Sequence, residues 1–159
     1  MSLSKPNPIP ARYRRVTAAL VVNGADAALT FYVEVFGATE RLRTPGPGGT
    51  IVHAEVEIGD SVIIVEDASP HMGTKAPPKG GLDGTPMFLF IYVEDVDARV
   101  GRAVAAGARL LREVKDQFYG DRSGGVEDPF GHVWYVSTHV EDVTREEVEK
   151  RMAASSGQH

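Results

Sequence analysis

Residues 116–139, DQFYGDRSGGVEDPFGHVWYVSTH, decide the fold of this chain. The Ser-Gly-Gly sequence at 123–125 predicts a tight turn after a polar arm that carries aromatic side chains. The Asp-Pro-Phe-Gly sequence at 128–131 predicts a second turn, and residues 132–138 then predict a strand. A hairpin of this kind leaves an apolar face uncovered, so the rest of the chain must supply the cover.

The composition is that of a globular protein. Of 159 residues, 42% are hydrophobic and 25% are charged, and the formal net charge of -5 disfavours nucleic-acid binding. The chain has no cysteine, which excludes disulfides, thiolate metal sites and a cysteine nucleophile, and which fits a reducing compartment. No apolar run is long enough for a membrane span, and the N-terminus lacks the apolar core of a signal peptide. These features predict a cytoplasmic protein without membrane contact.

The two halves of the chain predict the same order of elements. In the first half, a strand at 16–22 is followed by a helix with Asp26 as its N-cap and Gly37 at its end. In the second half, a strand at 87–93 is followed by a helix that Asp95 caps and Gly107 ends. Further strands are predicted at 38–43, 50–58, 61–66 and 108–114.

The correspondence between the halves is an internal repeat. Asp26 matches Asp97, and Gly37 matches Gly107, at almost the same spacing. The repeat predicts an α+β fold in which two tandem βαβββ modules form a partly closed, barrel-like cleft. The predicted segments are an N-terminal arm (1–15, disordered over 1–12), a first module (16–68), a linker or loop (69–85), a second module (86–143) and a C-terminal helix and tail (144–159).

Several motifs point to a known family. They are Phe31-Tyr32 with 36–38, then 53–55 with 58–61, 92–93 with 95–98, 116–122, and 128–132 with 138–143. Together they resemble the vicinal oxygen chelate superfamily of glyoxalases, bleomycin- and fosfomycin-resistance proteins and dioxygenases, and within it the PhnB-like branch. The resemblance implies the glyoxalase/bleomycin-resistance/dioxygenase fold, but this fold carries many chemistries.

The resemblance also locates the positions at which metal-using relatives bind a divalent ion through His or Glu. Counting from the matched motifs places them at Thr17, Ile64, Phe90 and Tyr135. Isoleucine and phenylalanine have no donor atom, so the sequence predicts neither a metal nor another cofactor at this site.

A displaced metal site is the remaining alternative. Strand alternation predicts that His53, Glu55 and Glu66 point to one side, and His139 could join them. Such a set could hold zinc or manganese. The preferred interpretation is that His53 and Glu55 are polar groups of a metal-free ligand site.

The function predicted first is the binding of a small organic molecule in the cleft between the modules, without a metal. The alternative is a lyase, isomerase or dioxygenase that uses His53 or Glu55 as a base or as a displaced metal ligand. A third hypothesis is a dimerisation scaffold, and the resemblance implies a homodimer. The sequence does not identify the ligand. The predicted ligand-binding residues are His53, Glu55, Phe90, Tyr92, Phe118, Tyr119, Arg122 and Tyr135, and the catalytic candidates are His53 and Glu55.

Overall fold

The computed structural model describes residues 4–78 and 84–156. They fall into two compact units, Met1–Pro77 and Pro78–His159. The predicted linker at 69–85 includes residues 79–83, which lie outside the described residues. Its described part contains a short 3-10 turn, Pro70–Met72.

The first unit is a four-stranded sheet covered on one face by a helix. The strand order is β1-β4-β3-β2, with β1 parallel to β4 and the other neighbours antiparallel. The elements are β1 (Ala18–Val22), α1 (Ala25–Phe36), β2 (Thr39–Pro45), β3 (Ile51–Ile58) and β4 (Ser61–Asp67). The first predicted βαβββ module therefore forms.

The second unit repeats this topology. Its strand order is β5-β8-β7-β6, with β5 parallel to β8. The elements are β5 (Leu89–Tyr92), α2 (Val96–Ala105), β6 (Arg109–Asp116), β7 (Asp121–Glu127), β8 (Val133–His139) and a C-terminal helix, α3 (Arg145–Ser156). The predicted α+β fold of two modules is confirmed, and each sheet in the described residues is open rather than closed on itself.

Each unit has an apolar layer between its sheet and its helix. In the first unit, Leu20, Val22 and Val65 are buried with the apolar side of α1. In the second, Trp134 and Val136 are buried on the side of β8 that also carries Thr138, whose hydroxyl oxygen accepts the Val96 N–H at the start of α2. Burial of these side chains removes apolar surface from water, which is the main driving force for each module.

The N-terminus of α1 differs from the prediction. Asp26 does not cap this helix; it lies in the first turn and binds Arg43 through a contact of 2.5 Å. The cap comes from Asp67 at the end of β4, whose Oδ1 accepts the N–H groups of Gly24 and Ala25, each at 2.9 Å. The prediction failed because the capping residue is distant in sequence. The predictions of Gly37 in the left-handed region and of Asp95 as the cap of α2 are confirmed.

The hairpin turn also differs from the prediction. The Ser-Gly-Gly sequence at 123–125 lies inside strand β7, and the chain reverses at 117–120, where Gly120 has a φ of 100°. The glycines serve close approach instead of a turn. A Cβ on Gly125 would lie 2.9 Å from the Tyr135 ring, and one on Gly124 would lie 2.8 Å from a methyl group of Val114.

The arm before β1 is not free where the structure describes it. Tyr13 donates a hydrogen bond to Glu55, and the Arg12 carbonyl accepts one from Arg41. The prediction of disorder over residues 1–12 is thus wrong for Arg12, because a tertiary contact holds it. None of the helices in the described ranges combines the length and the apolar character that a membrane crossing needs.

Candidate functional site

Each sheet has one face that its own helix does not cover, and we call these the first and second helix-free faces. Strand register defines the second helix-free face: Phe90 pairs with Tyr135, Tyr92 with Ser137, and Ser137 with Ser123. Because side chains alternate along a strand, these residues point away from α2. Phe90, Tyr92 and Tyr135, which are three of the predicted ligand-binding residues, therefore share this face.

Tyr135 is the centre of the second helix-free face. Its ring lies against Gly125, meets the ring of Phe88 edge-to-face at 4.5 Å, and lies 5.7 Å from the guanidinium carbon of Arg112. Phe90, the register partner of Tyr135, remains about half exposed at 47%. Aromatic rings beside a guanidinium group suit a flat ligand that carries negative charge.

Two concave regions border Tyr135 within the second unit. Their volumes are about 380 and 430 Å³, which is the scale of small-molecule sites. The first is lined by Arg112, Glu113, Lys115, Gln117, Tyr119, Ser123, Gly124 and Tyr135. The second is lined by Gly84, Thr85, Phe88, Arg109, Leu111, Glu127, Gly131, Val133 and Tyr135.

A hydrogen-bonded network lies at one end of this face. Asp121, which is almost fully buried, accepts hydrogen bonds from the Tyr92 hydroxyl and His139 Nδ1, each at 2.8 Å, and His139 Nε2 contacts Asp142 at 2.8 Å. The hydrogen bond to Asp121 raises the pKa of His139 most, and the hydrogen bond to Asp142 raises it further. The hydrogen bond to Asp121, with burial, raises the pKa of Tyr92, so its phenol stays neutral.

Hydroxyl groups lie on the same face, between Tyr135 and the network of Asp121. Ser137 is fully buried, and its Oγ has no hydrogen-bond partner among the residues that the structure describes. Its register partner Ser123 is 3.5 Å from the Tyr119 hydroxyl, measured between oxygens. Tyr119 and Phe118 lie in the turn before β7, and their rings meet edge-to-face at 5.2 Å. Of these two predicted ligand residues, Tyr119 lines the first of the two concave regions described above.

Arg122 is placed away from this group. Its register partner is Thr138, on the side that faces α2, and it binds Asp97 and Asp116. The hydrogen bond from Arg122 lowers the pKa of Asp97. Arg122 thus ties the sheet to its helix, and Arg112, which the sequence reasoning did not select, supplies the cation beside the aromatic rings. Arg112 lies in β6, whose sequence does not alternate regularly between polar and apolar residues. The sequence therefore gave no signal that this particular charged residue lies beside the aromatic rings.

The first helix-free face holds a different cluster, centred on Glu55. This carboxylate is 2% exposed, and its Oε2 accepts the Tyr13 hydroxyl at 2.5 Å and lies 2.9 Å from His53 Nε2. Burial by itself raises the pKa of Glu55, but the hydrogen bonds from Tyr13 and His53 outweigh burial and lower it. A carboxylate held in this way is a weaker base, which disfavours Glu55 as the general base of an enzyme.

The positions expected for a metal offer no suitable donor set. Phe90 and Tyr135 are register partners, and the partner of Ile64 in the first sheet is Ala19, two residues beyond Thr17. His139, which the displaced set could include, contacts Asp121 and Asp142 instead. In the described ranges, 4–78 and 84–156, no group of three or more His, Asp or Glu side chains is arranged to hold a metal ion. At the expected positions, the side chains of Ile64 and Phe90 offer no donor atom for a metal ion.

Comparison with known proteins identifies the family. The model of the Glyoxalase/Bleomycin resistance protein/Dioxygenase superfamily matches residues 14–136. An uncharacterized protein of Mycobacterium bovis is 40% identical over 136 residues, which cover 85% of this chain and 90% of that protein. The chain belongs to the glyoxalase/bleomycin resistance protein/dioxygenase superfamily, as the sequence motifs predicted.

Solved structures agree with this fold. TioX from Micromonospora sp. ML1 is 29% identical, with a TM-score of 0.60 over 80% of this chain and 99% of that chain. A PhnB protein from Bacillus cereus is 18% identical, with a TM-score of 0.62 over 79% of this chain and 99% of that chain. At this identity the PhnB protein shows a shared fold alone, and the superfamily hosts several functions.

Proposed function

We propose that this protein binds a small organic molecule on the second helix-free face, through stacking and charge, without a metal ion. One observation carries the proposal: the Tyr135 ring contacts the Phe88 ring, lies near the Arg112 guanidinium, and borders the two concave regions described above. A flat ligand with an anionic group would stack on the exposed rings and pair with Arg112.

The metal-free part of the proposal is supported by the side chains present. Phe90 has no donor atom, and the phenol of Tyr135 is a poor substitute for the His or Glu of metal-using relatives. The enzymatic alternative uses His53 or Glu55 as a base or displaced metal ligand. It has weaker support because Glu55 Oε2 is already hydrogen-bonded to the Tyr13 hydroxyl and to His53 Nε2. We further propose a cytoplasmic homodimer without nucleic-acid or membrane partners, on the absence of cysteine, the net charge of -5 and the family resemblance.

The proposal can be tested with 2-naphthoate, a flat aromatic carboxylate, titrated into the protein by isothermal calorimetry. We expect saturable binding with one site per chain. Arg112→Gln should weaken it about fivefold or more, because the variant removes the charge that pairs with the carboxylate. Tyr135→Ala should weaken it by a similar factor, because the stacking surface is lost.

The matched control is Arg145→Gln, which makes the same change of charge on the exposed side of α3. It should leave the affinity unchanged. Equal affinities for Arg112→Gln, Tyr135→Ala and the unaltered protein would contradict the site, and metal-dependent binding that ethylenediaminetetraacetate abolishes would contradict the metal-free part. Binding of naphthalene without the carboxylate at the same affinity would remove the role given to Arg112.

A further inference from the structure

Tyr13 is bound in the first unit as a ligand would be. Its hydroxyl donates to Glu55 Oε2 at 2.5 Å, and the guanidinium carbon of Arg41 lies 5.4 Å from its ring centroid. A phenol ring therefore has a hydrogen-bond acceptor at its hydroxyl and a cation over its face. These are two of the interactions by which proteins recognise aromatic hydroxyl compounds.

The receptor for this phenol belongs to the sheet. Glu55 is in β3 and Arg41 in β2, and both side chains are more than nine-tenths buried. His53 Nε2 lies 2.9 Å from the same carboxylate oxygen that Tyr13 reaches, and Arg41 Nη2 lies 3.8 Å from the other oxygen. A buried carboxylate is costly unless hydrogen-bond donors satisfy it, so the cluster favours an O–H donor at this point.

Tyr13, by contrast, belongs to no strand. Strand β1 begins at Ala18, and no backbone ladder joins the described residues 4–17 to the sheet. The contacts that hold this part of the arm on the sheet are those of the Tyr13 side chain and the hydrogen bond from Arg41 to the Arg12 carbonyl. Contacts of this kind can be replaced without breaking the sheet.

We propose that His53, Glu55 and Arg41 form a binding site for phenolic compounds, and that Tyr13 is its intramolecular occupant. The external ligand is an aromatic ring with a free hydroxyl, which donates to Glu55 while the ring lies beside Arg41. A concave region of about 450 Å³ adjoins Tyr13 and gives room for ring substituents. This site is argued from residues of the first unit alone, and it does not depend on the proposal for the second helix-free face.

Tethering makes Tyr13 a strong competitor for its own site. Only a few residues separate it from β1, so its effective concentration is in the millimolar range or above. A free phenol with the same intrinsic affinity as the Tyr13 side chain must exceed that concentration to displace it. The site should therefore be hidden from weak phenols until the tyrosine is removed.

The test uses p-cresol, which is the tyrosine side chain as a free molecule, in titrations of the full-length protein followed by nuclear magnetic resonance. Tyr13→Ala should bind p-cresol with a millimolar dissociation constant, which is within the range for so small a ligand. The unaltered protein should bind more weakly by about twofold or more, because Tyr13 competes at an effective concentration similar to or above the dissociation constant. The double variant with Glu55→Gln should lose about fivefold or more, because it replaces a charged acceptor by a neutral one.

Toluene is the matched ligand control, since it lacks only the hydroxyl, and it should bind Tyr13→Ala at least about fivefold more weakly than p-cresol does. Absence of p-cresol binding to Tyr13→Ala, or binding that Glu55→Gln does not weaken, would overturn the proposal. Circular dichroism should show that each variant is folded. If Tyr13→Ala is not folded, Tyr13→Phe takes its place: it keeps the ring and must bind p-cresol more tightly than the unaltered protein, or the proposal fails.

Discussion

The environment of His139 predicts how the stability of the fold depends on pH. Its pKa is raised above the ordinary value of 6.5 by the hydrogen bonds to Asp121 and Asp142, so the imidazolium is favoured in the folded chain. A group whose pKa is raised on folding stabilises the folded state, and this contribution is fully present when the pH is below the ordinary pKa of the group. It is lost as the pH rises through the pKa of the folded state.

We therefore predict that His139→Gln lowers the free energy of unfolding more in mildly acidic buffer than in mildly alkaline buffer. Urea denaturation at both pH values measures the difference. His71→Gln removes an exposed imidazole outside this network and is the control. A His139→Gln effect that is equal at the two pH values would contradict the ion pairs with Asp121 and Asp142.

Gly125 is the second residue with a testable role. A Cβ there would lie 2.9 Å from the Tyr135 ring, so we predict that Gly125→Ala displaces the ring and costs about 1–3 kcal/mol of unfolding free energy. The matched control is Gly101→Ala in α2, where nothing lies within 4 Å and alanine should stabilise the helix by about 0.5–1 kcal/mol. Thermal or urea denaturation checks both signs, and 2-naphthoate affinity should fall only for Gly125→Ala.

At the scale of elements, Asp67 joins three parts of the first unit. Its Oδ1 caps α1 through the N–H groups of Gly24 and Ala25, and its Oδ2 accepts the Ile51 N–H at the start of β3. One carboxylate thus satisfies three backbone donors that would otherwise lack a partner within their own elements.

We predict that Asp67→Ala lowers the free energy of unfolding by about 1–3 kcal/mol, the cost of a lost cap and of unsatisfied backbone donors. Asp26→Ala is the matched control, because it removes the same side chain from the first turn of α1 but leaves the cap in place. Its effect should be clearly smaller. Equal losses of unfolding free energy in the two variants, measured by urea denaturation, would contradict the conclusion that Asp67 caps α1.

For the whole molecule, the family resemblance leads us to expect a homodimer. Sedimentation velocity over a range of protein concentrations should give one species with twice the mass of a single chain. A single-chain mass at all concentrations would contradict this expectation. The result would leave the two ligand proposals untouched, because each is argued within one unit.

The sequence by itself determined the repeat, the family and the order of elements. Apolar periodicity, the turn glycines Gly37 and Gly107, and the cap Asp95 act over a few residues, so they can be read from neighbours in the chain. Strand alternation also placed His53 and Glu55 on the same side of β3, because alternation is a local property.

Only the tertiary structure decided which distant groups meet. Asp67 caps a helix more than 40 residues earlier, Tyr13 reaches Glu55 across 42 positions, and Arg112, not Arg122, lies beside Tyr135. Local signals also assigned the Ser-Gly-Gly sequence at 123–125 to a turn, whereas Gly124 and Gly125 make room in a strand for side chains from the neighbouring strands. Strand pairing and packing set these contacts, and neither is encoded in the spacing of nearby residues.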